Sequence, residues 1–353
     1  MPKADPNALD VIAPNFKRRL SGVTSTVVRL VPLQARDIAI AATGPVLPEH
    51  VPQIPLHALI TMSRRGPHGA RVWHARRNVE MIGGLALKYL LGKKLKFVFT
   101  SASQRKQTGL TRWLIRRMDA VVATSERTAT YLEVPAQVIM HGIDLEGFSP
   151  PEDRTALRAR LGLPSDGLLI GCYGRIRSSK GTDVFVDAVA NALAGTTAHA
   201  LVMGRAVEKD KAFFDALKAK AAALPGDIAD RIHFLPEVPV EAMADWYRVL
   251  DLYVAPQRWE GFGLTPIEAM ACGVPVIATR VGAFEQIVTP QTGALVPRDD
   301  VGALASAIRD TLQSPDTLSS WAANARPHVA EHFAIEREAN ELIKLYRHLL
   351  AQG

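Results

Sequence analysis

The 353-residue sequence predicts an α/β protein of two Rossmann-like parallel-sheet domains facing a central cleft, with helices at the C-terminus. Three observations carry this. Short apolar runs alternate with amphipathic segments along most of the chain, the pattern of a parallel sheet covered on both faces. The alternation breaks between residues 144 and 167, where Pro150, Pro151 and Pro164 flank a charged helix, and then restarts. The length is that of two domains, each able to bury its own core.

In the first half, strands are expected at 9–14, 38–42, 71–75, 96–100, 120–124 and 137–140. Helices are expected from 23, with Ser21 or Thr24 available as caps, and at 78–91, 110–118 and 126–132. The proline-rich stretch 44–67 has no clear period. In the second half, strands are expected at 168–174, 200–204, 232–235, 252–255, 274–278 and 293–296. The helices between and after them fall at 183–193, 209–224, 240–250, 301–312, 318–332 and 335–350. The expected domains are 1–150 and 151–334, with 335–353 as a closing helix.

Composition excludes several classes. Hydrophobic residues make up 48% and charged residues 22%, as in ordinary globular proteins. No apolar run approaches the roughly 20 residues of a membrane helix, and the first ten residues lack a signal core. Cys172 and Cys272 form no disulfide framework and read as buried thiols in a reducing, cytoplasmic setting. The net charge of +7 is uneven: residues 1–150 hold 21 Lys+Arg and 10 Asp+Glu, and the remainder nets −4. A basic first half suits an anionic partner or a solvated face equally. Its basic pairs have no interleaved aromatic platform, so nucleic acid is the weaker partner.

Ligands in such folds gather beyond the carboxyl ends of the strands. There the stretch 258–278 places Glu260 in a glycine-flanked loop and Gly263-Leu264-Thr265 at a helix start, whose free N–H groups suit an anion. Glu268 follows Thr265 at capping-box spacing, with Pro266 between them, so its simplest role is a helix cap. Glu260 has no such explanation. Earlier, Gly174 is followed by Arg175 and Lys180 on one loop. These cations suit a diphosphate, although two cations on a loop are more often plain surface charge. The loop is not a Walker sequence, and no G-x-G-x-x-G occurs. His74 and His141 end strands, where packed histidines are as common as functional ones. There is no D-x-D and no metal-spaced His/Cys cluster, so no metal cofactor is expected.

Together these residues resemble the retaining glycosyltransferases of family 4. The resemblance rests on Glu260-x7-Glu268 followed by Ala269-Met270-Ala271-Cys272-Gly273-Val274-Pro275, on Gly174-Arg175-x4-Lys180-Gly181, on Gly142-Ile143-Asp144-x2-Gly147-Phe148-x-Pro150, and on the Ser21-Gly22-Val23 loop. It implies the GT-B fold, a donor held mainly by the C-terminal domain without metal, and a last helix that crosses back to the N-terminal domain. Shorter strings, among them Phe99-Thr100-Ser101-Ala102-x-Gln104-Arg105 and Met140-His141-Gly142, resemble the mannosyltransferases of the alphaproteobacterial lipopolysaccharide core.

By position, the resemblance implies that Arg175 and Lys180 bind the donor diphosphate, Glu268 the ribose and Glu260 the sugar hydroxyls. Gly22 would let the first loop approach the phosphates. The pattern departs at Ala102, where many family 4 enzymes carry histidine. His74, Ser101, Ser103 or Gln104 are candidate substitutes, and Lys17, Arg18 and Arg105 are candidate acceptor contacts.

The expected activity is transfer of mannose from GDP-mannose to an anionic Kdo-lipid A acceptor, by a cytoplasmic protein that touches the inner membrane peripherally. Use of a UDP-sugar for another envelope glycan, or epimerisation of a sugar nucleotide on the same scaffold, are the enzymatic alternatives. A basic nucleic-acid or membrane-binding module is the non-enzymatic one.

Overall fold

The computed structural model describes residues 4–18 and 22–352. The chain divides into two compact units. The first runs to Gly142 and resumes at Ile335; the second is Ile143–Ala334.

The first unit comprises β1 (Val11–Pro14), α1 (Gly22–Gln34), β2 (Ile40–Thr43), α2 (Ala58–Thr61), β3 (Arg71–Ala75), α3 (Asn78–Leu91), β4 (Leu95–Ser101), α4 (Gly109–Ile115), β5 (Ala120–Ala123), α5 (Glu126–Ala129) and β6 (Gln137–Val138). Its six strands are parallel, in the order β2-β1-β3-β4-β5-β6. Alternation along each strand splits the core. Val11, Val72 and Val98 face one layer; Ile12, Trp73 and Phe97 face the other. The second layer is covered by α2, α3 and α4 side chains.

The second unit holds α6 (Arg154–Arg160), β7 (Leu169–Tyr173), α7 (Thr182–Ala192), β8 (His199–Met203), α8 (Lys211–Ala222), α9 (Gly226–Ala229), β9 (Ile232–Leu235), α10 (Met243–Arg248), β10 (Leu252–Ala255), α11 (Thr265–Ala271), β11 (Val276–Thr279), α12 (Phe284–Ile287), β12 (Gly293–Val296), α13 (Val301–Leu312) and α14 (Pro315–His332). Its sheet is again parallel and six-stranded, β12-β11-β10-β7-β8-β9. The sheet order turns between β10 and β7, and their carboxyl ends are where such folds bind ligands.

The last helix, α15 (Ile335–Ala351), belongs to the first unit. Ile335, Ala339, Leu342, Ile343, Tyr346 and Leu349 form one apolar stripe and join the Val11 layer beside α1.

The first unit ends at Gly142, earlier than the boundary expected at 150. The reason is hydrogen bonding. Arg326 donates to the carbonyls of Leu145 and Phe148, and Arg248 to those of Gly147 and Ser149. Arg158 of α6 donates to Val249 and Asp251. These bonds tie the segment read as a linker to the second unit. Other expectations also change. The helix read over 240–250 is a 3-10 turn, Val240–Ala242, followed by α10. Thr24 lies inside α1 and hydrogen-bonds Asn15 Oδ1 at 3.1 Å, so it is no cap. Ser21, the other candidate cap and part of the quoted loop, is outside the described residues, as is Arg19.

Candidate active site

β7 ends at Tyr173, and Gly174 turns the chain out of the sheet. Arg175 follows, exposed, and a 3-10 turn over Ser178–Lys180 leads into α7. The Lys180 ammonium forms an ion pair with the Glu260 carboxylate, and both side chains are largely covered, at 23% and 17% exposure. Glu260 also accepts from the Gly261 N–H at 3.0 Å.

The position of Glu260 depends on two glycines. Gly263 sits at φ +94°, where an added Cβ would lie 2.2 Å from the Phe284 ring and 2.9 Å from Glu260 Cγ; one at Gly282 would lie 3.0 Å from Glu260 Cβ. Side chains at either place would push the carboxylate off Lys180.

The two loops are clamped together. Arg258 and Trp259 donate their backbone N–H groups to the Ser179 carbonyl. The Arg258 guanidinium makes a two-pronged pair with Asp183 at 2.7 and 2.8 Å and also binds Asp299. Those hydrogen bonds raise the Arg258 pKa above its ordinary value. Asp183, despite partial burial, is held below the usual carboxylate range. Asp299 takes a positive φ of 62°, alone among the described non-glycine residues.

The residues at the end of β7 also border a cavity of about 180 Å³. Tyr173 at the end of β7 with Gly174 and Arg175 after it, Met203 and Gly204 at the end of β8, Glu237, Val238, Val240, Met243 and Tyr247 from the α10 side, and Thr265 and Glu268 of α11 line it. Three buried tyrosines pack here. The ring of Tyr247 lies 5.4 Å from those of Tyr173 and Tyr253. Burial, then the neighbouring Glu268, pushes the Tyr247 phenol well above its ordinary pKa, so it keeps its proton and donates it to Glu268 Oε2 at 2.7 Å.

The capping-box reading of Glu268 is therefore corrected. The residue before α11, Leu264, has helical angles (φ −77°, ψ −25°), and no side chain caps it. Gly263 turns the chain directly into the helix, so Thr265 is already a helical residue and instead hydrogen-bonds Tyr253. Glu268 is held from α10 and lines the cavity.

The structure thus brings Arg175, Lys180, Glu260, Gly263, Leu264, Thr265 and Glu268 to one end of the second sheet. In the first unit the candidates separate. His74 is fully buried, with Nδ1 2.5 Å from Tyr346 Oη and Nε2 2.7 Å from Thr100 Oγ1. Both nitrogens are used, and burial followed by Arg76 pulls its pKa well below 6.5. It is a packed histidine joining β3, β4 and α15, which corrects its reading as a cleft group. Ser101 and Gln104 are likewise buried, at 2% and 7% exposure, rather than presented to a ligand. Lys17, Arg18, Arg105 and Gly22 are exposed, and Ser103 is half-buried. His141 pairs with Glu338 at 2.8 Å, whose other oxygen accepts from the Gly142 N–H. Cys172 and Cys272 are buried free thiols, pushed up to about 12 by desolvation.

Three residues had no role in the sequence reading. Tyr247 and Asp183 reach their partners only through the fold. Arg258 stood in the central stretch, and its neighbours gave no sign of the clamp.

Residues 167–314 match the family described as glycosyl transferases group 1. The chain is 49% identical over 349 residues to the lipopolysaccharide core biosynthesis mannosyltransferase LpsB of Rhizobium meliloti (strain 1021), covering 97% of this chain and 98% of that one. It is also 49% identical to the lipopolysaccharide core biosynthesis mannosyltransferase LpcC of Rhizobium leguminosarum bv. viciae, covering 98% of each. Among solved structures it resembles Anabaena Alr3699/HepE in complex with UDP, with TM-score 0.82 at 17% identity, over 96% of this chain and 99% of that one; this likeness shows the fold. Near-full-length identity at this level and two parallel six-stranded sheets lead to one conclusion: the chain belongs to the glycosyl transferases group 1 family and is a glycosyltransferase of the GT-B fold.

Proposed function

We propose that the enzyme transfers mannose, with retention and without a metal ion, from GDP-mannose to the Kdo-lipid A inner core of lipopolysaccharide. The observation that carries this reading is the 49% identity, along nearly the whole chain, to two lipopolysaccharide core mannosyltransferases. The geometry of the second unit supports a nucleotide-sugar donor.

The nucleoside enters the cavity floored by the tyrosines. Glu268, fixed by Tyr247, accepts hydrogen bonds from the ribose hydroxyls. The diphosphate lies along Arg175 and Lys180. Lys180 is held for it by Glu260, which also reaches the sugar hydroxyls. As the bond from the sugar C1 to the β-phosphate oxygen breaks, negative charge grows on that phosphate, and the two cations stabilise it. Such preorganised charge is worth about 3–4 kcal/mol per group. The acceptor oxygen forms its bond to C1 on the face the phosphate leaves, and its proton passes to the departing phosphate oxygen. Because the acceptor is a lipid, the enzyme works at the cytoplasmic face of the inner membrane as a peripheral protein. No described helix is long and apolar enough to cross a membrane.

The test is purified protein with GDP-mannose and Kdo-lipid A in EDTA. The expected product carries one added hexose in the donor's anomeric configuration. Transfer from a UDP-sugar alone would overturn the donor assignment. Loss of activity in EDTA would overturn metal independence. An epimer formed from donor alone would favour epimerisation.

A further inference from the structure

Nine of the twelve exposed large hydrophobic side chains among the described residues lie between Leu56 and Trp113. They follow α2, α3 and α4 on one side of the first unit. Helix α3 is apolar on both faces. Met81 and Leu85 pack inward, while Val79, Ile82, Tyr89 and Leu90 point outward, 52%, 46%, 70% and 81% exposed. Their spacing puts them on one stripe. A helix apolar all round is normally buried, so this outer face lacks its partner.

The stripe continues at both ends. Asn78 donates to Thr111 Oγ1 at 2.8 Å, setting α4 with Leu110 and Trp113 against the start of α3. Lys93 donates to the Ile60 carbonyl at 2.8 Å, setting Ile60 against its end.

The charge along this part of the chain is predominantly basic. Residues 50–118 hold 14 Lys+Arg, of which Arg71 and Lys93 are buried, and a single acidic residue, Glu80, which is fully buried. Arg64 lies beside Gly92 at the end of α3, and Arg117 stacks 3.5 Å over the Trp113 ring. Arg112 and Arg116 share the half-exposed Glu133 beyond this segment.

We propose that this face docks on an anionic lipid bilayer. Val79, Ile82 and Leu90 enter the boundary between headgroups and acyl chains, Tyr89 and Trp113 sit at headgroup level, and the surrounding cations bind headgroup phosphates. A second copy is a poor occupant, because a two-fold contact through this face would set cations against cations. Nucleic acid fits worse, since the stripe is mainly aliphatic and offers no row of stacking rings. The inference deepens the reading above, in which the acceptor is a membrane lipid, but its test uses neither donor nor acceptor.

The full chain is sedimented with vesicles of phosphatidylglycerol and phosphatidylcholine, and with phosphatidylcholine alone. Binding is expected to the anionic vesicles and to weaken with salt. Ile82→Asp and the pair Arg64→Glu/Lys94→Glu should each weaken it about tenfold. Leu90→Gln, at the most exposed position of the stripe, provides a milder variant whose fold is checked by an unchanged melting curve. Equal binding to neutral vesicles, or unchanged binding by folded Ile82→Asp and Leu90→Gln, overturns the proposal. So does a solution dimer that these variants dissociate, which would assign the face to a second copy. Vesicle binding without sugar transfer keeps the face and removes only the catalytic reading.

Discussion

The first sheet carries His74, Ser101 and Gln104 at or just beyond the carboxyl ends of β3 and β4, and the second carries Arg175, Lys180 and Glu268 beyond β7 and in α11. The architectures match, but the polar groups are used differently. His74 bonds Tyr346 and Thr100 in the interior. Nearby, Arg77 spans Asn15 and the buried Glu80 at 2.8 and 2.7 Å. In the second unit, Glu268 lines the cavity, and Lys180 and Glu260 keep part of their side chains exposed while their partners hold them in place. Polar residues at a strand end therefore do not mark a site by themselves. A site needs charged groups that are both fixed and accessible.

The largest expected effect tests the accessible pair. Lys180→Ala and Glu260→Ala should each lower kcat by about 10²–10³-fold. The double variant discriminates. A merely structural ion pair predicts that removing both partners restores turnover, because no unpaired charge remains. The site reading predicts that the double variant is at least as impaired as the worse single one. Steady-state transfer kinetics on the three proteins decide it.

Glu268 should show the next effect. Glu268→Gln removes a charged acceptor, and hydrogen bonds to charged groups contribute about 1.5–3 kcal/mol, so KM for the donor should rise roughly 10–100-fold. Tyr247→Phe removes only the group that aims Glu268 and should raise KM roughly fivefold, the equivalent of about 1 kcal/mol. A helix cap would give the opposite pattern, with stability falling and KM unchanged.

The contrast reverses in the first unit. His74→Ala removes one partner each from the buried Tyr346 hydroxyl and the half-buried Thr100 hydroxyl and opens a void, which should cost about 2–4 kcal/mol of stability. Denaturant unfolding should record the loss, while kcat of the protein that remains folded stays near wild type. A collapse of kcat at unchanged stability would return His74 to the catalytic machinery.

How much of this was legible follows from the range of each interaction. Strands β3, β9, β10 and β12 and helices α3 and α13 fall at the limits expected from apolar period and flanking residues, because those signals are local. Arg175, Lys180 and Glu260 could be placed beyond strand ends for the same reason, but alone the two cations read as surface charge, and their ligand roles came from the resemblance. Whether a polar side chain at a strand end points into the core was not. His74 meets Tyr346, 272 residues away, and Glu268 meets Tyr247, 21 residues away. The cap expected for Glu268 failed because Gly263 reshaped the helix start, a backbone detail hidden behind matching capping-box letters. The boundary after Gly142 depended on Arg248 and Arg326, which are distant in sequence and showed no local sign of their partners.

The smallest expected effect concerns acid sensitivity, where the units differ again. In the second unit burial lowers the pKa values of His199, His233 and His328, yet each keeps some contact with solvent. In the first unit the effect is concentrated in His74, which is fully buried. Of the groups facing it, the Arg76 guanidinium adds to the lowering, and burial pushes the Tyr346 phenol up to about 12. A histidine lowered in the folded state takes up its proton more readily when unfolded. Stability is therefore complete above the unfolded value near 6.5 and declines as pH falls below it, by at most about 1.4 kcal/mol per pH unit for one histidine. His74→Gln keeps a donor and an acceptor between Thr100 and Tyr346 but cannot titrate. Unfolding of the full chain followed from pH 7 to pH 5 should lose less stability in this variant than in wild type. An identical slope would place the acid sensitivity in the partly solvated histidines of the second unit.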